Sequence, residues 1–113
     1  MNVFESIFIR SRGKDLQTLA SDLFAQLNLD IKEARYGDTQ FGDRFVYAEA
    51  LGMRITLQKA RDPKLPDYDF QLLFEPLPRI FFMHTFDLNG LAAVTTQYLT
   101  EKGLDVTFKP VDA

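Results

Sequence analysis

The chain has 113 residues, 46% of them hydrophobic and 26% charged, with a formal net charge of −3 at pH 7; these values predict one globular domain, residues 1–113. The acidic balance argues against a general nucleic-acid binder, because such proteins normally carry a clustered excess of lysine and arginine. The absence of cysteine excludes disulfides, thiolate zinc sites and a cysteine nucleophile, and with a single histidine we expect no metal site and no cofactor.

The first two predicted elements are a strand and a helix. Residues 3–11 alternate as a strand does, and its candidates for burial are Phe4, Ile7 and Ile9. Residues 14–28 change to a helical period, with apolar side chains at offsets 0, 3, 4, 7, 8 and 11 from Leu16. These spacings place the apolar side chains on one stripe of a helix.

A run of strands follows this helix, predicted at residues 29–36, 44–51, 53–60 and 70–76. Glycine, proline and aspartate mark the turns between them, above all in the loop 61–69. Gly52 favours a tight hairpin over a bulge in one long strand.

The chain then continues with an extended segment, a second helix and a last strand, predicted at residues 79–85, 88–102 and 104–110. The inward stripe of this helix is predicted to be Leu88, Leu91, Ala92, Thr95, Tyr98 and Leu99. Gly103 suits the left-handed residue that often follows a helix end.

This order of elements predicts an α+β fold, a two-layer sandwich. A mainly antiparallel sheet of five to six strands carries both helices on one face, as in a ferredoxin-like fold with inserted strands. The other face stays uncovered, and the strand 44–51 is apolar on both sides. Since such a strand is usually covered on both faces, we expect a protein partner or a second copy of the chain, giving a homodimer, to bind there.

Residues 7–49 resemble the opening strand, first helix and third strand of an RNA-recognition motif, through "IFIRSR", the helix and "GDRFVYAEA". The third strand of that family carries aromatic rings that stack on RNA bases. Phe45 and Val46 match its pattern, but Ala48 stands where the last ring belongs, and further strands replace the second helix. We attribute the resemblance to shared βαβ patterning and expect no nucleic-acid binding.

A basic cluster lies where the first strand leads into the first helix. Arg10, Arg12 and Lys14 flank Gly13, which gives a ligand access to the backbone. This position suits the binding of a phosphate or a carboxylate, although the glycine spacing of a P-loop is absent. The alternative is a solvated basic turn.

The only histidine, His84, ends an apolar run, and Asp87 is a suitable N-cap for the second helix. A histidine beside a helix N-terminus can supply acid or base chemistry, but it needs a nucleophile or a metal to become catalytic. The local sequence contains neither. The alternative to an active site is that His84 and Asp87 belong only to the junction between a strand and the second helix.

Acidic residues form the third candidate. Five aspartates lie in the turn and loop segments: Asp38, Asp43, Asp62, Asp67 and Asp69. Their spacing does not match a calcium-binding EF-hand loop, so they are predicted either to contact a partner or to be solvated loop charges. Glu49 lies in a largely apolar strand, and burial would raise its pKa and make it a candidate acid or base.

Two functions fit these features. The first is a non-enzymatic protein-binding domain, analogous in size and charge to bacterial immunity proteins, which neutralise a cognate toxin; acidic loops would speed its association with a basic partner. The second is a small-molecule enzyme or ligand-binding domain, which requires Arg10, Arg12, His84, Asp87 and Glu49 to converge. No signal-peptide pattern and no run of membrane-spanning length is present, so we expect a cytoplasmic location.

Overall fold

The computed structural model describes residues 4–50, 52–77 and 88–108. Within these ranges the elements are β1 (Glu5–Ile9), α1 (Leu16–Gln26), a short 3-10 helix (Ile31–Glu33), β2 (Arg35–Asp38), β3 (Arg44–Ala50), β4 (Met53–Lys59), β5 (Phe70–Pro76), α2 (Leu88–Glu101) and β6 (Val106–Thr107).

The six strands form one sheet in the order β2–β3–β4–β5–β1–β6, and every neighbouring pair is antiparallel. β2 to β5 make a meander, and β1 lies between β5 and β6. This is the strand order of a ferredoxin-like sheet whose middle hairpin has been extended by two strands. The predicted α+β class is therefore confirmed.

Both helices pack on the same face of this sheet. α1 contacts β3 and β4, and α2 contacts β1 and β6. Val46, Leu57, Leu72 and Ile7 lie opposite one another across four strands and are fully inaccessible to solvent. Each such side chain contributes about 1.5–3 kcal/mol by its removal from water, so this layer stabilises the fold.

α1 spans 11 of the 15 residues predicted for it, 14–28, and Asn28, the predicted C-terminal stop, follows its C-cap. The carboxylate of Asp15 accepts a hydrogen bond from the backbone N–H of Thr18 at 2.8 Å, which caps the helix and lowers the pKa of Asp15. Asn28, one residue after the C-cap, has a φ of 59°, a left-handed value that asparagine tolerates better than most residues. The Leu29 N–H then bonds the Phe24 carbonyl at 2.7 Å and closes the helix end.

The turns after β3 and α2 also match the prediction. Ala50 pairs with Met53, so β3 and β4 form a hairpin with a two-residue loop. Gly52 adopts a φ of 78° there, which only glycine reaches without strain. Gly103, after α2, has a φ of 87°.

Four details of the sequence prediction are wrong. Phe4, a predicted buried residue, is 49% exposed, because it is out of phase with the buried Ile7 and Ile9. Residues 31–33 form a 3-10 helix rather than part of a strand, because the Asp30 side chain accepts the Lys32 N–H at 2.9 Å and favours a turn. Tyr98 is 39% exposed instead of lying in the inward stripe of α2. Of the predicted strand 104–110, the described residues 104–108 form a strand only at Val106–Thr107.

The predicted extended segment 79–85, and with it His84 and Asp87, lies outside the described residues. In the part of the chain that is described, neither helix combines the length and the apolar character that crossing a membrane requires.

Candidate functional site

Most of the predicted site residues lie at one end of the sheet, which we call the loop end. Here β1 leads into α1, and the loop 60–69 joins β4 to β5. Ile9 and Lys59 both lie opposite Phe70, so the last residues of β1 and β4 meet at this end. The predicted basic cluster and the five aspartates lie at this same end, although Asp38, on β2, is four strands away from β1.

The basic cluster is already engaged by carboxylates. Arg10 and Arg12 both reach Oδ2 of Asp105, at 3.6 and 3.1 Å, and Lys14 pairs with Asp22. An external phosphate or carboxylate would have to compete with these aspartates. It would also compete with the carboxylate that caps α1.

The five predicted aspartates differ in their surroundings. Asp69 accepts the Ser11 N–H at 2.8 Å and the Ser11 hydroxyl, and Asp43 pairs with Arg61. Asp62 accepts the N–H of Lys64 within its own loop. The remaining two aspartates form no ion pair or side-chain hydrogen bond with other described residues, and these are Asp38 and Asp67.

Glu49 lies far from the basic cluster. Its strand partner Arg54 is opposite Glu75, near the end of β5, whereas Arg10 follows the residue opposite Phe70 at the start of that strand. Five residues of a strand span about 16 Å. Arg10 and Glu49 therefore belong to opposite ends of the sheet and do not converge.

Among the described residues the buried acid is Glu5, which was not one of the predicted site residues. Glu5 is only 2% exposed, on the helix-covered face opposite Phe74, and its Oε2 has no hydrogen-bond partner in the described ranges. Burial raises its pKa. Strict alternation from Ile7 and Ile9 would have identified it, since Glu5 shares their phase and Phe4, which is exposed, does not.

The uncovered side of the sheet, here named the open face, carries no described helix. Its central side chains are Phe45, Tyr47 and Glu49 of β3, Arg54, Thr56 and Gln58 of β4, Gln71, Leu73 and Glu75 of β5, and Ser6 and Phe8 of β1. Most of them are half-buried, while Thr56 and Phe8 are buried at 5% and 9% exposure.

Strand pairing arranges these side chains in three rows that cross β3, β4 and β5. A charged row contains Glu49, Arg54 and Glu75. An apolar row contains Tyr47, Thr56 and Leu73. An amide row contains Gln58 and Gln71, with Phe45 beside them on β3 and Phe8 on β1.

Aromatic rings and an arginine occupy the middle of the open face. The ring centroids of Phe45 and Tyr47 are 6.1 Å apart, and the guanidinium carbon of Arg54 lies 4.6 Å from the Tyr47 centroid. Arg54 also bonds Glu49 at 3.2 Å. A Cβ on Gly37 would lie 2.5 Å from Cζ of Phe45, so glycine lets this ring rest on the backbone of β2.

Phe45, Tyr47 and Arg54 belong to residue types that recur in protein interfaces. Aromatic side chains and arginine are enriched at the centres of protein interfaces. No group of three or more acidic or histidine side chains within the described ranges is placed to hold a metal ion.

Comparisons of the chain with protein-family models, with curated proteins and with solved structures find no match. Its function is therefore inferred from its own side chains.

Proposed function

We propose that the protein is a non-enzymatic protein-binding domain that acts in the cytoplasm and recognises its partner through the open face. The observation that supports this is the half-buried cluster of Phe45 and Tyr47, with Arg54 stacked on Tyr47, on a sheet face without a described helix. Rings held in this way lose little conformational entropy when a partner covers them, so their burial contributes directly to affinity.

The acidic loops support the proposal less strongly. Asp43 and Asp69 are engaged within the chain, and arginines at the same end, among them Arg10, Arg12 and Arg61, alternate with the aspartates. A basic partner would meet repulsion as well as attraction there. Neutralisation of a cognate toxin, as immunity proteins perform it, is one role for such a domain, with Asp38 and Asp67 aiding association.

The alternative of a small-molecule enzyme or ligand-binding domain loses support. It requires the basic cluster and Glu49 to line one cleft, but Arg10 and Glu49 lie at opposite ends of the sheet. Arg10 and Arg12 are also bound to Asp105.

Site-specific photocrosslinking in the native cell tests the proposal. A photoreactive phenylalanine analogue at Gln58 places the probe in the amide row, and the same analogue at Val94, 67% exposed on α2, is the matched control. We expect a protein adduct from the probe at Gln58 and none from the probe at Val94. Adding Leu73→Arg, in the centre of the face, is expected to remove the adduct.

A probe at Asp67 shows whether the partner binds the acidic loops or the open face. An adduct at Asp67 without one at Gln58 would move recognition to the acidic loops and contradict the open face. Adducts at Val94 alone, or at no position, would contradict the proposal as a whole.

A further inference from the structure

We propose that the open face binds a second copy of this chain, face to face about a twofold axis. This inference rests on the proposed binding role of that face. Its first support is charge, because Glu49 and Glu75 on the face are balanced by Arg54 and by Arg35, which lies beside Tyr47 on β2. The whole chain, by contrast, carries a net charge of −3.

A balanced face suits its own copy. It creates little long-range attraction for a strongly charged partner, and two copies meet without net repulsion. Which charges come together then depends on the direction of the twofold axis.

An axis along the strand direction that passes over β4 is unfavourable. It would superimpose the charged rows, with Arg54 opposite Arg54 of the second copy and Glu49 opposite Glu75 of that copy. Like charges directly opposed across an interface cost free energy.

An axis along the apolar row gives a complementary pairing. It reverses the strand direction and places the charged row of each copy over the amide row of the other. Arg54 then faces Gln58 of the second copy, and Glu75 faces Gln71 of that copy. A glutamine amide donates hydrogen bonds to a carboxylate and accepts them from a guanidinium, so Arg54 and Glu75 find partners. Glu49 lies over Phe45 of the second copy and keeps its ion pair with Arg54 of its own chain.

The size of the face sets the expected affinity. Five strands about 4.8 Å apart and about six residues long cover roughly 500 Å² per copy, or roughly 1,000 Å² in total. That area is at the low end for specific interfaces. We therefore expect a reversible dimer with a dissociation constant in the micromolar range, with Tyr47 and Leu73 near the axis.

Sedimentation equilibrium of the full chain from about 1 to about 300 μM tests this inference, since the range brackets a micromolar constant. We expect a monomer–dimer equilibrium that Leu73→Arg weakens by at least about tenfold. Val94→Arg introduces the same charge on the outer surface of α2 and is expected to leave the constant unchanged. Circular dichroism checks that each variant folds.

A charge exchange tests the axis and uses only exposed or half-buried polar positions. Gln58→Lys places a cation opposite Arg54 of the second copy and is expected to weaken the dimer about fivefold to tenfold. Adding Arg54→Glu to Gln58→Lys is expected to restore the affinity, because the introduced charges then attract each other across the axis.

The outcomes separate this inference from the proposed function. A chain that remains monomeric throughout the range overturns self-association, while an adduct with a different protein at Gln58 would leave the binding role in place. A dimer that Val94→Arg dissociates and Leu73→Arg does not would assign the contact to α2 and overturn the inference. Failure of the charge exchange to restore affinity would overturn the proposed axis.

Discussion

Glu5 and Glu49 each interrupt an otherwise apolar strand, yet they lie on opposite faces of one sheet. Glu5 is 2% exposed, has no described partner for Oε2 and has a raised pKa because it is buried. Glu49 has a side chain that is 45% exposed and pairs with Arg54 at 3.2 Å. The face of the sheet on which a carboxyl lies therefore decides whether it is desolvated or solvated, even when both strands are largely apolar.

Two adjacent leucines of β5 lie on opposite faces of the sheet, and we expect the largest difference in the free energy of unfolding between their variants. Leu72 is fully buried under the helices, and Leu73 is half-buried on the open face. We expect Leu72→Ala to lower the free energy of unfolding by about 2–5 kcal/mol, because it leaves a cavity. Leu73→Ala is expected to cost less than about 1.5 kcal/mol, because solvent or a partner fills the space. Urea denaturation measures both, and equal losses would contradict the contrast.

Asp67 and Asp69 belong to one loop but differ in their contacts, so we expect their replacement to have different effects on stability. Asp69→Ala leaves the N–H and the hydroxyl of the buried Ser11 without their acceptor, so we expect a loss of about 1–3 kcal/mol in the free energy of unfolding. Asp67→Ala is the matched control, since Asp67 is exposed, and is expected to stay within about 0.5 kcal/mol. Thermal unfolding compares the two, and a tolerated Asp69→Ala would remove the structural role of this link.

Replacing Glu5 is expected to change the free energy of unfolding less than Leu72→Ala or Asp69→Ala does, and in the opposite direction. Glu5→Gln keeps the shape of the side chain and removes the buried charge, so we expect a gain on the order of 1 kcal/mol at pH 7. Glu49→Gln, which breaks an exposed ion pair, is expected to lose about 0.2–1 kcal/mol. Denaturant unfolding at pH 7 measures both, and a loss of stability in Glu5→Gln would contradict the desolvation of Glu5.

The pH dependence gives the Glu5 prediction a second readout. Because the pKa of folded Glu5 lies above the ordinary value, protonation favours the folded state. Its contribution to stability is fully present below the ordinary pKa and is lost as the pH rises through the raised one. Glu5→Gln should abolish this part of the pH profile, and Glu49→Gln should retain it. An unchanged profile in Glu5→Gln would show that the group does not titrate as its burial requires.

The elements of this fold were predictable where the pattern is local. The stripe of α1, its stop at Asn28 and the hairpin at Gly52 depend on residues within a few positions of one another. The prediction failed where one side chain outweighs the pattern, as Asp30 does when it replaces the start of a strand by a 3-10 turn.

The candidate site was less predictable, because its contacts are long-range. Ser11 and Asp69 are separated by 58 residues, and Arg12 and Asp105 by 93. No local pattern marks such pairs, so Arg10 and Arg12 were predicted to bind an external anion although an internal aspartate lies beside them.

By itself, the sequence determined the α+β class, the two helices, the strand-rich middle and the hairpin, because periodicity and turn chemistry act over a few residues. The tertiary structure alone established that Asp69 holds Ser11 and that charged, apolar and amide rows cross the open face. Those features depend on which strands pair and in which register. Register is set by burying one whole face at once, and no single segment contains that information.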